Sequence, residues 1–105
     1  MDRRSFDRVA TNLPVKYVCD DMLYSGTIRN ISENGMYIKT SNFLPCINWI
    51  EIFVPLQEEI SRFFARIRRV EKIDDANYCM GIELLDPPRN YLAFVGNLKT
   101  LVKSS

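Results

Sequence analysis

Apolar and polar residues alternate along most of this chain, and the alternation falls into short runs separated by turn-forming residues. In Leu13-Pro14-Val15-Lys16-Tyr17-Val18-Cys19, the residues Leu13, Val15, Tyr17 and Cys19 share one face and Lys16 the other, which predicts a half-buried strand. Asp20-Asp21 supplies a turn, and a second strand runs from about Leu23 to Ile31 through Gly26. Its apolar phase slips between Ile28 and Ile31, so a bulge is expected near Arg29-Asn30, re-aiming Asn30 outward. After the polar turn Asn30-Ile31-Ser32-Glu33-Asn34-Gly35, a third strand covers Met36 to Thr40. Asn34-Gly35 is suited to positive φ, and Asn30 and Ser32, two apart in extended chain, are expected to share one solvent-facing rim.

Ser41 to Cys46 reads as a loop, and Trp49-Ile50-Glu51-Ile52-Phe53-Val54 as a central or doubly covered strand, apolar on nearly both faces and ended by Pro55. Ile60 to Ile73 carries both an alternation and a period of three. Its β-branched and aromatic content favours a long strand with a bulge near Arg68-Arg69 over a helix. Asp74-Asp75-Ala76-Asn77 turns the chain into a last strand, with Tyr78, Met80, Ile82 and Leu84 inward. Asp86-Pro87-Pro88 then offers an N-cap followed by proline, and Tyr91, Phe94, Val95, Leu98, Leu101 and Val102 form one helical stripe. The expected fold is mainly β: a small six-stranded antiparallel β-barrel, closed because closure removes unpaired edges, with a C-terminal amphipathic α-helix that flanks or plugs it, or serves dimerisation. Residues 1–12 form a flexible N-terminal arm, 13–86 the barrel and 87–103 the helix of a single domain spanning 1–105.

Composition narrows the function classes. At 105 residues, 47% hydrophobic and 26% charged, the chain suits one globular core. No run approaches the ~20 apolar residues that span a bilayer, so no membrane insertion is expected, and the start leads into no signal region, which points to the cytoplasm. A net charge of +1 disfavours a nucleic-acid polymer as partner. Cys19, Cys46 and Cys79 are odd in number and unaccompanied by histidine; they read as reduced thiols rather than as a disulfide framework or zinc site. Without histidine or a recognisable nucleophile motif, no enzyme and no cofactor are expected.

Basic residues therefore matter by clustering. Arg3-Arg4-Ser5-Phe6-Asp7-Arg8 carries three guanidiniums within six positions, ahead of any apolar periodicity. Arg62, Arg66, Arg68 and Arg69 form a second basic face, either simply solvated or open to RNA or an acidic protein. Arg4-x-x-x-Arg8 near the start, with Asn30-x-Ser32-x-x-Gly35 after the second strand, resembles the PilZ family of bacterial cyclic di-GMP receptors over almost the whole chain.

The resemblance implies a nucleotide-responsive binding module that reports to an unidentified downstream protein. It gives Arg4 and Arg8 the phosphates and guanine edges of the ligand; a guanidinium fork can bond guanine O6 and N7 together, clamp a phosphate or lie over a purine. Asn30 and Ser32 take the other guanine, and Gly35 permits close approach. Asn30 stands where aspartate is commoner in the family, and it offers one acceptor oxygen rather than two. Arg3, immediately before the pair, implies capture of cyclic di-GMP as a mutually intercalated dimer. A PilZ-like interaction module that binds no nucleotide and a small-barrel single-strand binder are the alternatives.

Overall fold

The computed structural model describes residues 8–42 and 49–104, with side chains through residue 101. Six strands, β1 (Val9–Cys19), β2 (Met22–Ile31), β3 (Gly35–Thr40), β4 (Trp49–Pro55), β5 (Ile60–Lys72) and β6 (Tyr78–Leu84), precede one helix, α1 (Arg89–Ser104). The strands close into an antiparallel barrel in the order β1-β2-β3-β6-β5-β4, with β4 returning to β1. The expected fold class is the observed one.

The inward positions of the alternating runs meet in a single core. Tyr17, Ile28, Ile31, Met36, Ile38, Ile52, Val54, Ala65, Ile67 and Met80 are completely buried, as befits a small barrel whose interior is filled by side chains. Tyr17 keeps its hydroxyl satisfied in that interior. It donates to Thr40 Oγ1 at 2.9 Å, and Thr40 in turn donates to the Ser25 carbonyl at 3.1 Å. Cys19 and Cys79 are buried and form no disulfide among the described residues, whereas Cys46 and the loop residues 43–48 lie outside the described residues.

The expected bulges are present. The β2–β3 register slips between Ile28 and Asn30, leaving Arg29 as the extra residue, and the β5–β6 register slips between Ile67 and Arg69. A third irregularity, between Ala10 and Leu13 of β1, faces the Arg29 segment and leaves both ladders of β2 disturbed there.

Five expectations about the strands, turns and helix require correction. First, β1 begins at Val9 rather than Leu13, because Val9 and Ala10 pair with Ile31 and Asn30; the last part of the expected arm is barrel. Second, no described glycine has positive φ. The left-handed residues are Asp20 (φ 52°) and Asp21 (φ 65°), which close the two-residue hairpin between the paired Cys19 and Met22. Third, β4 is covered on one face only. Ile50, Ile52 and Val54 are buried, but Trp49 is 55% exposed and Phe53 lies on the outer wall beneath Arg62. Fourth, Asp86 is no N-cap: it has φ 49°, and the helix starts at Arg89, where the Pro88 carbonyl accepts the Leu92 amide at 3.1 Å. Pro88 excludes helical geometry from the residue before it, which moves the helix start past both prolines. Fifth, Leu101 is 66% exposed and does not belong to the packed stripe, which among the described side chains holds Tyr91, Phe94, Val95 and Leu98; the side chain of Val102 lies outside the described residues.

The helix is fastened to the barrel by specific contacts as well as by area. The Tyr91 ring packs against Phe63 at a centroid distance of 5.0 Å, and Ser61 Oγ donates to Asn90 Oδ1 at 2.9 Å. Tyr91 and Val95 join the barrel core directly.

Candidate functional site

The β2–β3 hairpin is built around one hydroxyl. Ser32 Oγ accepts the backbone amides of Asn34 (3.3 Å) and Gly35 (3.1 Å) and donates to Asn34 Oδ1 at 2.9 Å, while the Ser32 amide donates to the Gly35 carbonyl at 2.9 Å. A serine that holds the turn in this way removes the need for a left-handed residue, which is why Asn34-Gly35 has ordinary backbone geometry. It also removes Ser32 from the rim. Ser32 is fully buried, whereas Asn30, two residues earlier, is half-buried and faces Arg8.

Two contacts from α1 hold this turn from behind. Tyr91 donates its hydroxyl to the Ser32 carbonyl at 2.7 Å, and Lys99 Nζ pairs with both carboxylate oxygens of Glu33 at 2.7 and 3.0 Å. Burial pushes the Tyr91 phenol well above its ordinary pKa, with Glu33 adding to the shift, so it remains a donor. On the other side, the Leu84 amide donates to the Asn34 carbonyl at 3.0 Å. Sequence reasoning missed Tyr91 and Lys99 as supports of the hairpin. The available signal was a tyrosine in an apolar stripe, because a buried phenol needs an acceptor.

Arg8 stands immediately before β1, and pairing of Val9 with Ile31 carries it to the hairpin. Its Nη1 donates to Asn30 Oδ1 at 3.2 Å. A methyl group placed on Gly35 would stand 3.6 Å from Arg8 Nη2 and only 2.9 Å from the Ile82 carbonyl, so glycine here allows close approach of β6 rather than an unusual φ. Arg8, Asn30 and Gly35 are thus brought together at one end of the barrel, with Ser32 in the layer beneath. Arg3 and Arg4 lie outside the described residues.

Beside this cluster the outer face of β1–β2–β3 is polar and basic. An open groove of about 480 Å³ is lined by Asn12, Ser25, Thr27, Arg29, Lys39 and Asn77, among others. Among the described residues neither Arg29 nor Lys39 forms an ion pair with a carboxylate. The second basic face is different in kind. Arg62 pairs with Glu51, Arg68 with Glu83 at 3.0 Å and Arg69 with Glu71 at 3.8 Å, which spends three of its four charges locally.

No curated protein sequence is significantly similar to the chain. Several solved structures are. The Bacillus subtilis inhibitor of motility, MotI/DgrA, superposes with a TM-score of 0.73 at 16% identity, covering 99% of this chain and 51% of that one. The PilZ domain of YcgR from Escherichia coli, solved with c-di-GMP, gives 0.71 at 13% identity, covering 98% and 96%. The PilZ domain of CeSA from a cellulose-synthesizing bacterium gives 0.60 at 22% identity, covering 93% and 96%. The chain therefore spans about half of the inhibitor and nearly all of the two isolated domains, and at these identities the likeness is one of fold. The family model for the PilZ domain, however, matches residues 2–99, a span that runs from before Arg3 through the hairpin to Lys99 on the helix. With barrel, hairpin and flanking helix in one continuous match, the chain belongs to the PilZ domain family.

Proposed function

We propose that this PilZ domain is a cytoplasmic receptor for cyclic di-GMP, binding the dinucleotide between the Arg4-x-x-x-Arg8 segment and the Asn30-x-Ser32-x-x-Gly35 hairpin and passing the signal to a partner protein. The observation that carries the reading is the 3.2 Å bond from Arg8 to Asn30, which joins residues 22 positions apart that belong to the two separate motifs. Similarity in fold to a PilZ domain solved with c-di-GMP supports the choice of ligand.

The ligand presents two phosphates and two guanines. Arg8 spends one donor on Asn30 and keeps the rest of its five-donor fork for a phosphate or for guanine O6 and N7. Asn30 Oδ1, with one lone pair taken by Arg8, has a second with which to accept from the N1–H and N2–H₂ donors of the other guanine. Ser32 acts one layer down, keeping the turn in the shape that presents Asn30, and Gly35 keeps the surface beside Arg8 low enough for a flat base. Arg29 and Lys39 give the neighbouring groove the positive potential that a dianion needs. Arg4 and Arg3 complete the guanidinium set, and no catalytic step is part of this role.

Calorimetric titration with cyclic di-GMP, cyclic di-AMP, GTP and single-stranded RNA tests the reading. Saturable binding of cyclic di-GMP in preference to the other three is expected. No heat with any cyclic dinucleotide would leave a PilZ-type interaction module in its place.

A further inference from the structure

The residue paired with Asn30 across the β2–β3 ladder is aromatic: Tyr37, whose register continues to Gly81 on β6 and from there to Arg69 on β5. Met36 and Ile38 on either side of it are completely buried, so Tyr37 points to the outer wall, where it is half-buried. Its hydroxyl donates to Glu71 Oε1 on β5, two strands away, and Arg69 Nε stands 3.8 Å from the other carboxylate oxygen. Strands lie ~4.8 Å apart, so a phenol rooted on β3 and bonded to a β5 side chain lies along the wall across β6 rather than standing up from it. Both outward residues of β6 at this level fit that posture. Gly81 raises no side chain beside the ring, and Cys79, although it faces outward, is only 6% exposed, with the Tyr37 phenol against it.

A ring held in this way turns one face to the barrel and the other to solvent. Two outward rings elsewhere on the barrel are capped by guanidiniums, Trp49 by Arg66 and Phe53 by Arg62, each at 5.9 Å. Among the described residues neither a cation nor a second ring covers Tyr37. The ring runs from β3 away from Asn30, so a purine laid on it brings one edge back to the Asn30 side chain, with Arg8, bonded to Asn30 at 3.2 Å, beyond that edge. An open aromatic face beside a hydrogen-bonding group is what a heterocyclic base requires, the face for stacking and the polar group for its edge. We infer that Tyr37 is the platform on which one guanine of cyclic di-GMP stacks, the base whose edge Asn30 takes, an assignment that rests on the proposed receptor reading and adds the face of the base to its edge. Stacking is tolerant of base identity, so Tyr37 supplies affinity and Asn30 the choice of base.

The test pairs calorimetry with NMR on the full chain and its cyclic di-GMP complex. Nuclear Overhauser contacts between the Tyr37 ring protons and guanine H8 are expected in the native complex, with both sets of signals moved upfield by mutual ring currents. Tyr37→Phe keeps the ring and should bind within roughly threefold of the native chain, whereas Tyr37→Leu, which keeps only the cover over Cys79, should bind roughly tenfold more weakly. Both variants should prefer cyclic di-GMP over cyclic di-AMP as the native chain does, because Asn30 is untouched. Tyr37→Leu binding as tightly as the native chain, Tyr37→Phe losing as much as Tyr37→Leu, or a native complex without contacts between Tyr37 and guanine would overturn the platform and leave the receptor reading standing. A native chain that binds no cyclic dinucleotide would overturn both. Should a variant fail to fold, the Overhauser contacts of the native complex decide alone.

Discussion

Replacing Tyr91 with phenylalanine isolates one hydroxyl on which the hairpin rests. The ring, and with it the 5.0 Å contact to Phe63, is kept; the 2.7 Å hydrogen bond to the Ser32 carbonyl is lost. Ser32 is fully buried, and the Gly35 amide that might have turned to its carbonyl is already held by the serine hydroxyl. The carbonyl is therefore left without a donor, a condition that costs about 1–3 kcal/mol. For a domain of this size, ~1.5 kcal/mol corresponds to a melting temperature lower by roughly 6–12 °C. Scanning calorimetry reads that change, and hydrogen exchange localises it: the amides of Asn34, Gly35 and Leu84 should exchange faster while those of β4 and β5 do not. A variant melting within about 2 °C of the native chain, with hairpin protection unchanged, would show that the Tyr91 hydroxyl does not support the turn.

Arg4→Ala and Arg8→Ala should each weaken cyclic di-GMP binding by about 1–3 kcal/mol with the melting curve unchanged, measured by calorimetry; undiminished binding would remove that arginine from the site. Native mass spectrometry should find two ligands per chain, shifting toward one in Arg3→Leu, since a second stacked ligand doubles the phosphate charge to be met; saturation at one ligand for both proteins would refute the intercalated dimer. Exchanging Asp20-Asp21 for Asn-Gly should stabilise the barrel by about 1 kcal/mol in urea unfolding, because both residues sit at positive φ, at 52° and 65°. Alkaline titration should unfold the chain early. The hydrogen bond to Glu71 raises the Tyr37 pKa from 10.0 to about 12, and burial raises Tyr17 and Tyr91. Folded values above unfolded ones mean that stability held below pH 10 is lost as pH rises toward 12, and a flat stability profile across that window would contradict the shifts.

The strands were legible because a closed barrel enforces a period of two on every run, and the bulges because an extra residue breaks that period visibly, at Arg29 and at Arg68. Pairing order was not legible: nothing in one dimension says that β3 neighbours β6 or that β4 returns to β1. The outer face of β4 misled for a related reason. Trp49 and Phe53 look like core until Arg66 and Arg62 are seen to cover them from the next strand. At the site, Arg8, Asn30 and Gly35 were readable as a set, but Ser32 was assigned to the surface when it belongs to the interior. Its carbonyl is held by Tyr91, 59 residues away, a tertiary contact that local spacing does not encode.

The same geometry gives a meaning to asparagine at position 30. An aspartate there would form an ion pair with Arg8, fixing the guanidinium firmly but cancelling its charge before any ligand arrives. Asn30 accepts the same kind of bond through Oδ1 at 3.2 Å and leaves the charge intact; among the described residues no carboxylate pairs with Arg8. What is given up is a second acceptor oxygen for the guanine N1–H and N2–H₂ donors. What is retained is a full positive charge held in place at the mouth of the hairpin, beside Arg29 and Lys39 of the adjoining groove, which form no ion pair among the described residues. On the proposed reading, then, binding in this chain leans on phosphate electrostatics more than on base-edge recognition, and salt weakens it more steeply than it would with aspartate at position 30.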